Sequence, residues 1–129
     1  AVTGITLDTG AFIALEKGKR RILSVVSVAI EHDIPVFIPA TALAEFWREP
    51  SKAMRSLLAD CTVLPMTSRE AEALGTVLGR LGRRAGPPFV DASVALFAAL
   101  YAPVLYTADP EDMGEICSRA GLNVRVLGV

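Results

Sequence analysis

The sequence predicts a three-layer α/β domain built on a mostly parallel sheet. Five short apolar runs rich in β-branched residues, at 5–7, 36–38, 62–64, 104–106 and 124–127, are each punctuated by Pro, Gly, Asp or Asn, as strands are. Stretches with helical spacing of apolar residues separate them. Parallel neighbours need crossover connections of about this length, so the strand–helix rhythm argues against hairpins.

Strand 5–7 ends at Asp8, and helix 9–15 follows directly. Helix 20–31 leads to strand 36–38, which stops at Pro39. Helices 40–48 and 51–58 follow, the first with Leu43, Phe46 and Trp47 on its apolar side. After strand 62–64, Thr67 and Glu70 form a capping-box pattern ahead of helix 68–81. The stretch 82–88, with two Gly, two Pro and two Arg, reads as an exposed loop. Helix 89–100 is apolar on every face and therefore reads as buried. Strand 104–106 is followed by Asp109-Pro110, a cap with proline at the first helical position, then by helix 110–120 and strand 124–127.

A chain of 129 residues, 52% of them hydrophobic, can bury a core as one domain without disulfides or structural zinc. Its two cysteines, Cys61 and Cys117, and its single His32 supply no zinc-site spacing and read as reduced thiols lining the core. The apolar stretch 85–108 is interrupted by Asp91, Pro87, Pro88 and Pro103, which excludes a membrane span. With no secretion signal at the start, the expected location is cytoplasmic. Thirteen basic residues against fourteen acidic ones give a net charge of −1, so any nucleic-acid contact must come from local clusters. Lys17, Lys19, Arg20 and Arg21 form one, and Arg80, Arg83 and Arg84 another.

Ligands in open parallel sheets bind beyond the carboxyl ends of the strands. Asp8 and Asp109 both follow strands and so emerge on one edge, although each is also a natural helix cap. Asp91 is the sole Asp, Glu, Lys, Arg or His between residues 85 and 108. On a buried helix it needs a cation or strong donors to compensate it. Glu45, beside Thr41 and Arg48 at helical spacing, is weak evidence alone. Together these oxygen ligands suit a hard divalent cation, and their mutual repulsion gives a physical reason to expect one.

At these residues the sequence resembles the PIN-domain nucleases, and most closely the VapC-type ribonuclease toxins of bacterial toxin–antitoxin pairs. Leu-Asp-Thr-Gly-Ala-Phe-Ile-Ala-Leu, carrying Asp8, looks like the first family motif; Ala-Leu-Ala-Glu-Phe, carrying Glu45, the second; Val-Asp-Ala-Ser-Val-Ala, carrying Asp91, the third; and Leu-Tyr-Thr-Ala-Asp-Pro-Glu-Asp-Met, carrying Asp109, the fourth. Asp112 matches a further acid of some relatives, though it also fits the first turn of a capped helix. The resemblance implies a sheet ordered 3-2-1-4-5 along the chain numbering, a homodimer, an antitoxin covering the site, and a Mg²⁺- or Mn²⁺-dependent endoribonuclease leaving 5′-phosphate and 3′-hydroxyl ends on RNA. Asp8, Asp91 and Asp109 would hold a metal, with Asp112 a further ligand. Glu45 would bind a second ion or deprotonate the attacking water. Thr107 and Thr9 would support the carboxylates, and Arg48 and Arg84 would position the RNA backbone.

Other carboxylate-using α/β enzymes fit less well. A haloacid-dehalogenase-type phosphatase wants an acid two residues after Asp8, where Gly10 stands, and a receiver domain wants an aspartate where Leu64-Pro65-Met66 sits. No phosphate-binding glycine loop is present. Two alternatives remain open on sequence: an RNA-processing PIN nuclease without an antitoxin, and a non-catalytic module of this fold that binds protein or RNA.

Overall fold

A computed structural model describes residues 4–82 and 88–129. The elements run β1 (Ile5–Leu7), α1 (Thr9–Glu16), α2 (Arg20–Glu31), β2 (Val36–Pro39), α3 (Ala40–Phe46), α4 (Lys52–Ala59), β3 (Thr62–Leu64), α5 (Ser68–Leu81), α6 (Phe89–Tyr101), β4 (Val104–Thr107), α7 (Pro110–Ala120) and β5 (Arg125–Gly128). The five strands form one parallel sheet in the order β3-β2-β1-β4-β5, as the resemblance implies. Thr6 of the central strand β1 is registered with Phe37 of β2 on one side and with Leu105 of β4 on the other.

Alternation along β4 shows why helices cover both faces of the sheet. Leu105 joins a core with Phe12, Ile38, Val94, Ala95 and Met113, while Val104 and Tyr106 pack against Ile5, Leu7, Leu15, Ile22 and Val26. A third core of Leu74, Val77, Leu81, Ala92, Leu96 and Ala120 binds α5, α6 and α7 together. Thr6, a fully buried polar residue in the central strand, is satisfied by donating its hydroxyl to the Ala102 carbonyl at 3.0 Å.

The structure corrects three expectations. Helix α6 is buried over residues 92–98, but Phe89 and Leu100 near its ends are each 52% exposed. Asp91 therefore stands half-buried where the helix emerges, not within the core. Helix α3 stops at Phe46, two residues short of Arg48, and Trp47 leaves the helical region with ψ 76°. Pro50 lies close behind, where a helix cannot easily continue. The Thr67 hydroxyl donates to the Glu70 carboxylate and makes no cap bond to the backbone. Glu70 also receives the Tyr101 hydroxyl, which holds its carboxyl below the usual range. Both cysteines are free and line the core as expected, Cys117 buried within it and Cys61 half-buried against it; burial beside Asp60 pushes the Cys61 pKa up to about 11, which leaves it unreactive near neutrality.

Among the described residues no helix is long and apolar enough to cross a membrane.

Candidate functional site

The strand order reverses between β1 and β4, and at such a switch point the loops leaving the two strands turn to opposite sides and open a crevice. Asp8 leaves β1 and Asp109 leaves β4 at this edge. Both are also helix caps. Asp8 accepts the Ala11 N–H through Oδ1 at 2.7 Å, and Asp109 accepts the Asp112 N–H through Oδ1 at 3.1 Å. Capping occupies one oxygen of each carboxylate and fixes where the carboxylate sits, so the structural and chemical readings are compatible.

Thr107 ties the two together. Buried at the end of β4, its Oγ1 accepts the Asp109 N–H at 3.0 Å, and the same hydroxyl pulls the pKa of the Asp8 carboxyl down. Gly10 allows the close approach: a Cβ there would lie 2.7 Å from the Ala108 Cβ and 3.6 Å from Asp8 Oδ1. Gly10→Ala is thus expected to push α1 away from the β4–α7 turn and to cost about 1–3 kcal/mol, as overpacking does. Urea denaturation measures this, and an unchanged midpoint would show that the turn yields freely.

Asp91 and Glu45 come from α6 and α3. Those two helices are joined by a hydroxyl pair, Thr41 Oγ1 to Ser93 Oγ at 2.5 Å, with Ser93 donating onward to the Val90 carbonyl at 2.7 Å. Ser93 is fully buried two residues beyond Asp91, and Thr41 lies one turn before Glu45, so the pair sets the spacing of the two acids.

The acids register one another's charge. Burial pushes the Asp91 carboxyl up, and Asp8, Glu45, Asp109 and Asp112 push it further. Burial also raises Asp8, with Glu45 adding to it, while Thr107 and the Ala11 and Ala108 N–H groups pull the other way. Asp112 is raised by its hydrogen bond to Asp109 and by that residue's charge. Groups that lie far apart along the chain are thereby concentrated at one place.

Two depressions flank the cluster. A cleft of about 200 Å³ is lined by Asp91, Asp112, Glu115, Ile116, Arg119 and Leu81, among others. A groove of about 280 Å³ is lined by Thr41, Ala44, Glu45, Arg48, Phe89 and Val90. Glu115 and Arg119 were not legible as site residues, although they follow Asp112 at helical intervals of three and seven on one face of α7. Arg119 also donates to the Leu81 carbonyl at 2.7 Å, closing the end of α5. Arg48 lines the same groove as Glu45. Arg84 and its neighbour Arg83 fall outside the described residues. Arg80, the third member of that basic group, instead binds the Ala120 carbonyl at 2.9 Å. Lys17, Lys19, Arg20 and Arg21 are exposed around the α1–α2 connection, at the end of α1 remote from Asp8; they do not belong to the site.

The donor set fits a hard cation in chemistry: carboxylates and hydroxyls, with no thiol or imidazole. The Thr9 hydroxyl oxygen, next to Asp8, is buried without a hydrogen-bond partner, an unsatisfied oxygen of the type such an ion takes. Among the described residues no three His, Cys, Asp or Glu side chains already stand in an arrangement that could hold an ion. Asp8 and Asp109 are turned onto their own helix termini and Glu45 is exposed.

No family model matches the chain, and no curated protein matches it. Solved structures do. A chain of the DNA-bound VapBC complex from Salmonella typhimurium matches with a TM-score of 0.69 at 22% identity, over 97% of each chain. One from Rickettsia felis VapBC2 bound to a promoter DNA fragment matches with a TM-score of 0.74 at 13% identity, over 97% of this chain and 98% of that one. A chain of FitAB bound to the IR36 DNA fragment matches with a TM-score of 0.64 at 20% identity, covering 96% and 94%. At these identities the likeness is one of fold.

Proposed function

We propose that the chain is a metal-dependent endoribonuclease and the toxin of a toxin–antitoxin pair. The observation that carries the activity is the charge environment of Asp91, whose half-buried carboxyl is raised by burial and by four other acids, Asp8, Glu45, Asp109 and Asp112. A fold does not need such a concentration of like charge, which costs stability unless a cation offsets it. The VapBC and FitAB complexes among the structural matches support the toxin reading.

In this reading Asp8, Asp91 and Asp109 hold Mg²⁺ or Mn²⁺, with Asp112 at the margin of the set. A bound divalent ion would lower the pKa of a water and offset charge on the scissile phosphate. Thr107 keeps the Asp8 carboxylate oriented and fixes the Asp109 backbone. Glu45, exposed at the rim, would bind a second ion or take the proton from the attacking water. Arg48 receives the RNA backbone from the adjoining groove.

Exposed Leu23, Val28 and Ile30 on α2 offer apolar surface for a protein partner, either a second copy of the chain or an antitoxin.

The deciding experiment incubates a fluorescent mixed-sequence RNA with the purified chain in Mg²⁺, in Mn²⁺ and in EDTA, beside an Asp91→Asn protein of verified fold. Cleavage that needs the metal and Asp91 is the expected result. Cleavage unaffected by EDTA and by the substitution would remove the carboxylate–metal mechanism.

A further inference from the structure

Phe89 is a large aromatic side chain, 52% exposed, at the start of the helix that carries Asp91. Isolated exposed apolar residues are ordinary on protein surfaces. What sets Phe89 apart is its company. It lines the same groove as Thr41, Glu45 and Arg48, so one depression of about 280 Å³ holds an aromatic ring, a cation and a member of the acid cluster.

We infer that this groove seats a nucleobase of single-stranded RNA on the Phe89 ring, with Arg48 on the adjoining phosphate. The inference rests on the nuclease reading above and specifies how its substrate is held. Single-strand binding sites combine these two elements: an aromatic face on which a base of any identity stacks, and a basic group that follows the backbone. Paired bases in a duplex cannot present their faces to such a ring, so the groove selects unpaired RNA.

Continuity with the acids places the stacked nucleotide. Glu45 belongs to both the groove and the cluster, and Asp91 lies two residues from Phe89 on α6. A base held on Phe89 therefore belongs to a nucleotide close to the bond that is cut. A protein partner is the less suitable occupant. Stable protein interfaces bury about 800 Å² on each side, whereas this groove offers one ring and Val90 as its large apolar groups, between an acid and a base.

The test measures cleavage of a short unstructured end-labelled RNA in Mg²⁺, separating kcat from KM, together with anisotropy of the same RNA bound in EDTA at low salt. Phe89→Ala is expected to raise KM roughly tenfold with kcat nearly unchanged, while Phe89→Trp retains or improves the wild-type value and Phe89→Leu behaves like Ala. That ranking depends on the aromatic face and not on fold. Arg48→Ala is expected to weaken binding and to reduce the slope of log K against log salt by about 0.7, one phosphate contact on a single strand. Wild-type cleavage with Phe89→Ala kinetically unaltered would overturn the stacking site alone and leave Phe89 as a contact for a protein partner. Equal loss in the Ala, Leu and Trp proteins would also overturn it, since packing would then explain the effect. RNA neither bound nor cut by the wild type would overturn both this inference and the nuclease reading.

Discussion

Asp91→Asn is expected to change two properties in opposite directions. RNA cleavage in Mg²⁺ should fall by roughly 100-fold or more, because even partners one step removed from a metal cost about 10- to 100-fold when lost. Stability at neutral pH without metal should rise. Burial and the charges of Asp8, Glu45, Asp109 and Asp112 hold the folded-state pKa of Asp91 above the ordinary 3.8. The folded protein then binds this proton more tightly than the unfolded chain does, so stability falls as pH rises from 3.8 through the raised value. Asparagine removes that penalty. Its advantage should be complete above the raised pKa and vanish below about 3.8, where Asp91 is protonated in both states. Thermal melts across pH in EDTA measure this. A melting temperature that drops on substitution at neutral pH would show that Asp91 is a structural carboxylate with a stabilising partner.

Adding Mg²⁺ should reverse the order of the two proteins. An ion that binds only the folded wild type contributes about 2.7 kcal/mol at a concentration 100 times its Kd, or roughly 10 °C for a chain of this size. The asparagine protein should gain far less.

Phe12→Ala carries the second large effect. Phe12 is fully buried, its ring centroid lies 4.3 Å from that of Phe46, and it packs in one core with Ile38, Val94 and Leu105. Truncation to Ala removes the transfer free energy of the ring and leaves a cavity, for a loss of about 3–5 kcal/mol. That is a large part of the stability of an ordinary domain. Denaturant titration measures it, and a loss below about 1 kcal/mol would mean that α3 collapses into the space. The same substitution is expected to weaken cleavage, because α1 is capped by Asp8 and anchored by Phe12.

Most of the fold was legible because each element announced itself locally. The β-branched apolar runs and the Asp8 and Asp109 caps mark their elements to within one or two residues. Sheet order was not contained in that pattern; it came from the resemblance, because strand neighbours are chosen by long-range packing. The end of α3 was misjudged because Trp47 and Arg48 are compatible with a helix, and the break comes with the turn toward Pro50. Thr67 misled for a similar reason: its hydroxyl meets Glu70, which Tyr101 draws in from α6.

The candidate acids were legible as a set because they recur in order, and three of them break a local expectation. Asp8 and Asp109 follow strands, and Asp91 interrupts an otherwise apolar helix. What the sequence withheld was the environment of each. Asp91 reads as buried because every neighbour on its helix is apolar, yet the helix surfaces at that residue. Phe89, which looked like one more core residue, is exposed for the same reason. The Thr41–Ser93 bond joins residues 52 apart in sequence and leaves no periodic trace.

The central position of β1 bears on when the protein can act during its own synthesis. Thr6 pairs with Phe37, 31 residues later in the chain, but its other neighbour, Leu105, follows only after 99 residues. Asp8 and Glu45 therefore emerge from the ribosome well before Asp91 and Asp109, and β1 lacks one of its two partners until β4 has been translated. Until then a nascent chain holds only Asp8 and Glu45 of the five acids, with β1 still open on its β4 side. Whatever these acids do together begins only once β4 and the start of α7 have been translated, a delay written into the strand order.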